Sequence, residues 1–180
     1  MARAPKNDLT RAQSQQYWTG YLYANSREQT TLVAKKKYRK LYAPLPILRQ
    51  LREDMHKRAD LRGHRLGTYI RIKAWPEPDW NDIEFLRGFF DGTIYFRTDN
   101  GKWALKHREL RKFAVAIERT LSIPMPQVIT VAQYQKRIYL PEQTALFIMK
   151  GLWGVPHLGD HWKEYIKWNT KRENSARRER

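Results

Sequence analysis

A chain of 180 residues with 41% hydrophobic and 13% aromatic content can bury a sizeable core, and it carries 35 Lys and Arg against 18 Asp and Glu. The formal charge of +17 and a pI near 10.2 exceed what solubility requires and imply a polyanionic partner. No cysteine is present, which excludes disulfides and every cysteine-ligated metal site and suits a reducing compartment. With no long apolar run and no charged-then-apolar leader, the sequence reads as a soluble, intracellular protein without a membrane span.

Residues 1–9 form an N-terminal arm. Thr10 and Gln13 make a capping box, and Tyr17, Gly20, Tyr21 and Ala24 share one helical face, so a helix is expected over 11–24, stopped by Asn25-Ser26. From Glu28 to Tyr42, β-prone residues around Lys35-Lys36-Lys37 predict a short basic hairpin. Leu45, Leu48, Leu51 and Met55 mark a second helix that ends before Gly63, and Thr68 to Lys73 alternates like one half-buried strand.

After Pro76 and Pro78, Asp79 caps a third helix in which Phe85, Gly88 and Phe89 share a face, with Gly92 as its left-handed stop. Thr93 to Arg97 and Lys102 to Lys106 flank Asp99-Asn100-Gly101, a tight-turn signal. Leu110, Phe113, Ala114, Ile117 and Leu121 mark a helix, Val128 to Val131 and Arg137 to Leu140 two strands, and Glu142 to about Leu152 a further helix. Trp162, Tyr165 and Trp168 predict a small closing helix, then a polar, frayed tail. Lys171 to Arg180 holds five basic and two acidic residues, so the body without it keeps +14.

The order helix, hairpin, helix, strands occurs twice, with Gly20 and Gly88 in equivalent places, which indicates an internal duplication. The expected fold class is α+β: a first repeat over 10–75, a second over 76–156, and a C-terminal helix and basic tail over 157–180.

The segments Gln16-Tyr17-Trp18-Thr19-Gly20-Tyr21-Leu22-Tyr23-Ala24-Asn25-Ser26 and Glu84-Phe85-Leu86-Arg87-Gly88-Phe89-Phe90-Asp91-Gly92-Thr93-Ile94 resemble the two signature helices of double-motif LAGLIDADG homing endonucleases. The resemblance covers roughly residues 10–155. It implies two αββαββ(α) repeats in one chain, a monomer with internal pseudo-twofold symmetry, and a saddle of antiparallel sheets that straddles duplex DNA. It also implies that Gly20 and Gly88 let the signature helices pack closely, and that each helix end delivers a carboxylate to divalent metal ions, Mg²⁺ if the site is catalytic, which assist phosphoryl displacement. The first motif departs from this pattern: Asn25 stands where its metal-binding aspartate is expected, and an amide oxygen is a weaker ligand for a hard cation. In the second, Asp91 answers either to the metal ligand or to an earlier, structural aspartate of the motif.

On or beside the predicted strands, Lys35, Lys37, Arg39, Lys40, Arg71 and Lys73 in the first repeat and Arg97, Lys102, Lys106, Lys136 and Arg137 in the second are the candidate nucleic-acid contacts. Trp75, Trp80, Trp103, Trp153, Trp162 and Trp168 could stack on bases but suit core packing better. His157 and His161, four apart, lack the wider ligand pattern of a zinc site. Three functions follow: a nucleic-acid-binding protein on this scaffold with weak or lost cleavage, duplex DNA being favoured over structured RNA; an active metal-dependent endonuclease in which Glu28 or Asp79 completes a pair with Asp91; or a ribonucleoprotein component or inhibitor of a nucleic-acid enzyme, bound to a protein partner.

Overall fold

The computed structural model describes residues 14–30, 37–43, 45–55, 60–64, 67–72, 77–132, 135–152 and 161–178, with side chains left aside at 27–30, 37–38, 60–64, 67–68, 70–71, 132, 135, 161–162 and 178. The elements are α1 (Gln15–Asn25), β1 (Arg27–Thr30), β2 (Lys37–Tyr42), α2 (Leu45–Asp54), β3 (Asp60–His64), β4 (Gly67–Ile72), α3 (Ile83–Thr93), β5 (Ile94–Arg97), β6 (Lys102–Lys106), α4 (Leu110–Leu121), β7 (Ile129–Ala132), β8 (Gln135–Leu140), α5 (Glu142–Gly151) and α6 (His161–Arg178). Two compact units result, one running to Gly92 and the other from Thr93. Each holds a four-stranded antiparallel sheet, in the orders β1-β2-β4-β3 (sheet A) and β5-β6-β8-β7 (sheet B). The chain is α+β, as expected, and the helix–hairpin–helix–hairpin order occurs twice.

In the unit that ends at Gly92, α1 starts later than expected. Ser14 has extended backbone (φ −66°, ψ 159°), and its Oγ accepts the Tyr17 amide at 3.1 Å. A short hydroxyl that satisfies one of the orphan amides of a first turn fixes the start there; Thr10 and Gln13 lie outside the described residues. Tyr17, Trp18 and Leu22 are fully buried, and Trp18 Nε1 donates to Asp54 Oδ2 at 2.7 Å, fastening α1 to α2. The buried row Ile47, Leu48 and Leu51 holds α2 in the core.

Two local expectations change at α3. Its capping acid is Asp82, whose Oδ1 accepts the Phe85 amide at 2.9 Å, whereas Asp79 builds the preceding turn by accepting from Asn81 and Asp82 amides. Gly92 is helical, not a left-handed stop, and among the described residues Gly101 alone of the glycines has positive φ. β3 was not read from the sequence. Asp60-Leu61-Arg62-Gly63-His64 carries one apolar aliphatic residue, so it lacks the alternation that betrays a strand and is held instead by backbone pairing to β4 at the sheet edge.

In the second unit, Gly101 (φ +64°) makes the β5–β6 turn, a conformation that costs a residue with a Cβ about 1–2 kcal/mol. Ile94 and Phe96 pair with Leu105 and Trp103, and these side chains form the buried face of sheet B. α4 buries Leu110, Phe113, Ala114, Ala116 and Ile117 and ends at left-handed Ser122 (φ 54°). The closing helix is not small: α6 has 18 residues and continues to Arg178 where a frayed tail was expected. Its last turns, Lys171 to Arg178, are mostly polar but include no Gly or Pro, and polarity alone does not break a helix. Among the described residues no helix is long and apolar enough to cross a membrane.

Candidate nucleic-acid interface

The helices α1 and α3 are each 11 residues long, with Gly20 and Gly88 at their midpoints. A Cβ at Gly20 would overlap the Phe85 carbonyl oxygen and lie 2.7 Å from Phe89 N; one at Gly88 would overlap the Tyr17 carbonyl oxygen and lie 2.9 Å from Tyr21 N. Each glycine thus meets the backbone three residues before and one after the other glycine. The helices cross backbone to backbone, and no side chain larger than hydrogen fits at either midpoint. The resemblance implied such a close approach at Gly20 and Gly88.

That reciprocal contact fixes a register between the helices. Asn25 and Thr93 are each five residues past the central glycine, and Tyr23 and Asp91 are each three past it. Asn25 Nδ2 donates back to the Tyr21 carbonyl at 3.1 Å, and a Cβ at Gly92 would overlap that same Nδ2. Thr93 is buried. Asp91 is 8% exposed, and its Oδ2 accepts a 2.8 Å bond from the hydroxyl of Tyr17, which is 0% exposed. Burial, and next the Asp91 carboxylate, push the Tyr17 phenol well above its ordinary range, and the same two causes raise Tyr21. The Arg87 guanidinium lies over the Tyr17 ring at 5.1 Å. Among the described residues no three His, Cys, Asp or Glu side chains gather where they could hold a metal ion.

On sheet A, Leu41 and Ile72 are buried on the core face. Directly paired residues of an antiparallel ladder share a face, so Lys40 and the pair Tyr42–Tyr69 occupy the open one. Lys40 Nζ sits 3.9 Å from the centroid of the Tyr69 ring and 4.9 Å from that of Tyr42. Arg71 is the register partner of Lys40. Arg39 has the opposite parity: its guanidinium lies 5.3 Å from the Tyr23 ring and donates to Ser26 Oγ at 3.4 Å, beside the end of α1. Lys35 and Lys73 lie outside the described residues, and Lys37 is placed only by its backbone in β2.

Sheet B presents four cations on its open face. Arg97 pairs with Lys102, and Lys106 with Arg137, and all four lie opposite the buried row of Phe96, Trp103, Leu105 and Ile138. Lys136, next to Arg137, falls on the other parity. Between the cations runs a row across three strands, Tyr95, Ala104 and Tyr139. The Tyr139 hydroxyl accepts from Arg137 Nη1 at 2.8 Å and Arg97 Nη1 at 3.4 Å, and the Arg137 bond is the first cause that draws its pKa below the ordinary tyrosine value. Asp99 takes two bonds from Arg97, and the first of its causes, that hydrogen bonding, lowers its own pKa. Among the described residues, Arg137, Lys102 and Lys106 are the cations of this face with no ion-paired acid.

Most of the described tryptophans pack. Trp103 is fully buried, Trp80 joins Phe85 and Phe89 at ring-centroid distances of 5.1 Å each, and Trp168 contacts Phe96 at 5.6 Å. Trp75 and Trp153 lie outside the described residues. The tyrosines of both open faces and the Tyr17–Asp91 bond were not singled out from the sequence; the alternation of Tyr69 with Arg71 and of Tyr139 with Arg137 was the available signal.

No protein-family model matches the chain, and no curated protein matches it in sequence. Among solved structures it is similar to the N-terminal LAGLIDADG domain of DUF199/WhiA, at 11% identity and a TM-score of 0.52, over 83% of this chain and 84% of that one. It is similar also to the homing endonuclease I-WcaI bound to its DNA recognition sequence (8%, TM-score 0.52, 89% and 94%). A third is I-DmoI in complex with DNA and Mn (6%, TM-score 0.51, 76% and 94%). Likeness at these identities is likeness of fold: the chain has the LAGLIDADG homing-endonuclease fold that its two motif helices implied.

Proposed function

We propose that this protein binds double-stranded DNA through the open faces of its sheets, on a LAGLIDADG scaffold whose metal-dependent cleavage has been lost. The observation that carries the second part is the register about Gly20 and Gly88, which makes Asn25 and Thr93 the corresponding helix-end residues. Neither is an acid, and a neutral amide and a hydroxyl do not fit a divalent centre that depends on paired carboxylates. Asp91, two residues earlier, is buried and accepts from Tyr17, which supports a structural role for it. Binding is supported by the +17 charge, by the cations of the open faces, and by the presence of DNA with the structural neighbours I-WcaI and I-DmoI.

The test is a duplex-library assay that reads retention and nicking with Mg²⁺ or Mn²⁺ and with EDTA. Retention is expected to be the same with metal and with EDTA, and no nick to form. A face that neutralises about six to ten phosphates loses on the order of 10³ to 10⁵ in affinity between about 50 and 200 mM salt. A Mg²⁺-dependent nick that Asp91→Asn abolishes would make the protein an endonuclease and overturn the reading.

A further inference from the structure

The outer end of α6 serves neither the core nor the faces described above. Its inner side is fastened: Tyr165 lies 5.4 Å from Phe96 and 5.3 Å from Trp103 between ring centroids, and the Trp168 ring packs where a Cβ on Gly101 would stand. Tyr165 Oη donates to Glu142 Oε1 at 2.6 Å, burial and that carboxylate push its pKa up to about 12, and Arg172 Nη1 reaches Glu142 Oε2 at 3.3 Å. These contacts also give the helix a direction. From Tyr165 to Trp168 it moves from Phe96 and Trp103 toward the β5–β6 turn, and Glu142 follows directly after the end of β8, where Leu140 pairs with Trp103. The helix therefore runs out at the turn end of sheet B.

Beyond that point residues 170–177 are all exposed. The five residues from Glu173 to Arg177 extend about 8 Å, at ~1.5 Å per residue, without a large apolar side chain. Lys171 and Arg177 are exposed there, Lys167 is exposed just before Trp168, and the acid Glu173 is hydrogen-bonded by Asn169. A helix C-terminus favours cations within its last turn, which accounts for Arg177 but not for Lys167 and Lys171 further in. Arg97 and Lys102 lie at this same end of sheet B, on the face opposite the one that α6 packs against.

We infer that the protruding end of α6 is a second phosphate-binding surface, gripping the flank of the DNA duplex just beyond the stretch that lies on sheet B. The inference rests on the DNA-binding reading above. B-form DNA carries one charge per ~1.7 Å of axis, so an overhang of this length can reach several phosphates.

The experiment uses the full chain with Lys167→Gln, Lys171→Gln and Arg177→Gln combined, measured against duplexes of increasing length over a salt series. The parent is expected to bind longer duplexes more tightly and the variant to gain little from the added flank, with a log–log salt slope lower by about 2 to 3 and an unchanged thermal midpoint. An unchanged slope with the parent's length dependence would overturn the inference while leaving DNA binding intact. A parent that retains no duplex at any salt would sink the DNA-binding reading and this inference with it.

Discussion

Three residues before and after the central glycines, α1 carries Tyr17 and Tyr23 and α3 carries Phe85 and Asp91. On one flank of the crossing Tyr17 donates to Asp91 at 2.8 Å; on the other Tyr23 and Phe85 meet as rings 6.1 Å apart, joined by Trp80 and Phe89. The backbone contact is reciprocal and the flanking chemistry is not. The comparison separates what the crossing demands, two positions without a Cβ, from what it tolerates, a buried ionisable pair on one side and an apolar aromatic cluster on the other.

The reciprocal part should be the more fragile. Gly88→Ala and Gly20→Ala each force a methyl into a carbonyl oxygen of the facing helix, and each is expected to cost about 3 kcal/mol or more, at the upper end of overpacking penalties. Chemical denaturation would show it, and a neutral result at either position would break the claim of equivalence. On the polar flank, Tyr17→Phe withdraws a buried donor from a buried carboxylate and should cost about 1–3 kcal/mol. Asp91→Asn keeps an acceptor for the phenol and should cost about 1 kcal/mol, with the double variant losing less than the sum of the two.

The same flank makes an alkaline prediction. Tyr17 and Tyr21 have folded pKa values raised above the unfolded value, so the stability they contribute is complete below about pH 10 and is lost as pH rises from there toward the folded values. Denaturation midpoints between about pH 9 and 11 should fall less steeply for Tyr17→Phe than for the parent; identical slopes would mean that Tyr17 titrates no differently in the folded chain.

Element order was legible because hydrophobic period and turn chemistry are local. Asp99-Asn100-Gly101, the apolar row of α4 and the two glycine-centred motifs each specify their element within a few residues. What stayed hidden depends on pairings that residue pattern alone does not single out. β3 exists through pairing with β4, the start of α1 turns on which of two hydroxyls takes the cap, and Gly92 reads as a stop until Ala24 and Asn25 are brought against it. The open face of sheet B was half legible. Its cations stand in the sequence, but the separation of Lys136 from Arg137, and of Arg39 from Lys40, follows from strand parity, which needs the register.

The two open faces differ as the two flanks do: Lys40 between Tyr42 and Tyr69 on sheet A, and the Tyr95–Ala104–Tyr139 row ringed by guanidinium and ammonium groups on sheet B. A dimer of one repeat would offer a single face twice. Because this chain carries both faces in one reading frame, each can be altered by its own codons, and the two have no reason to stay alike.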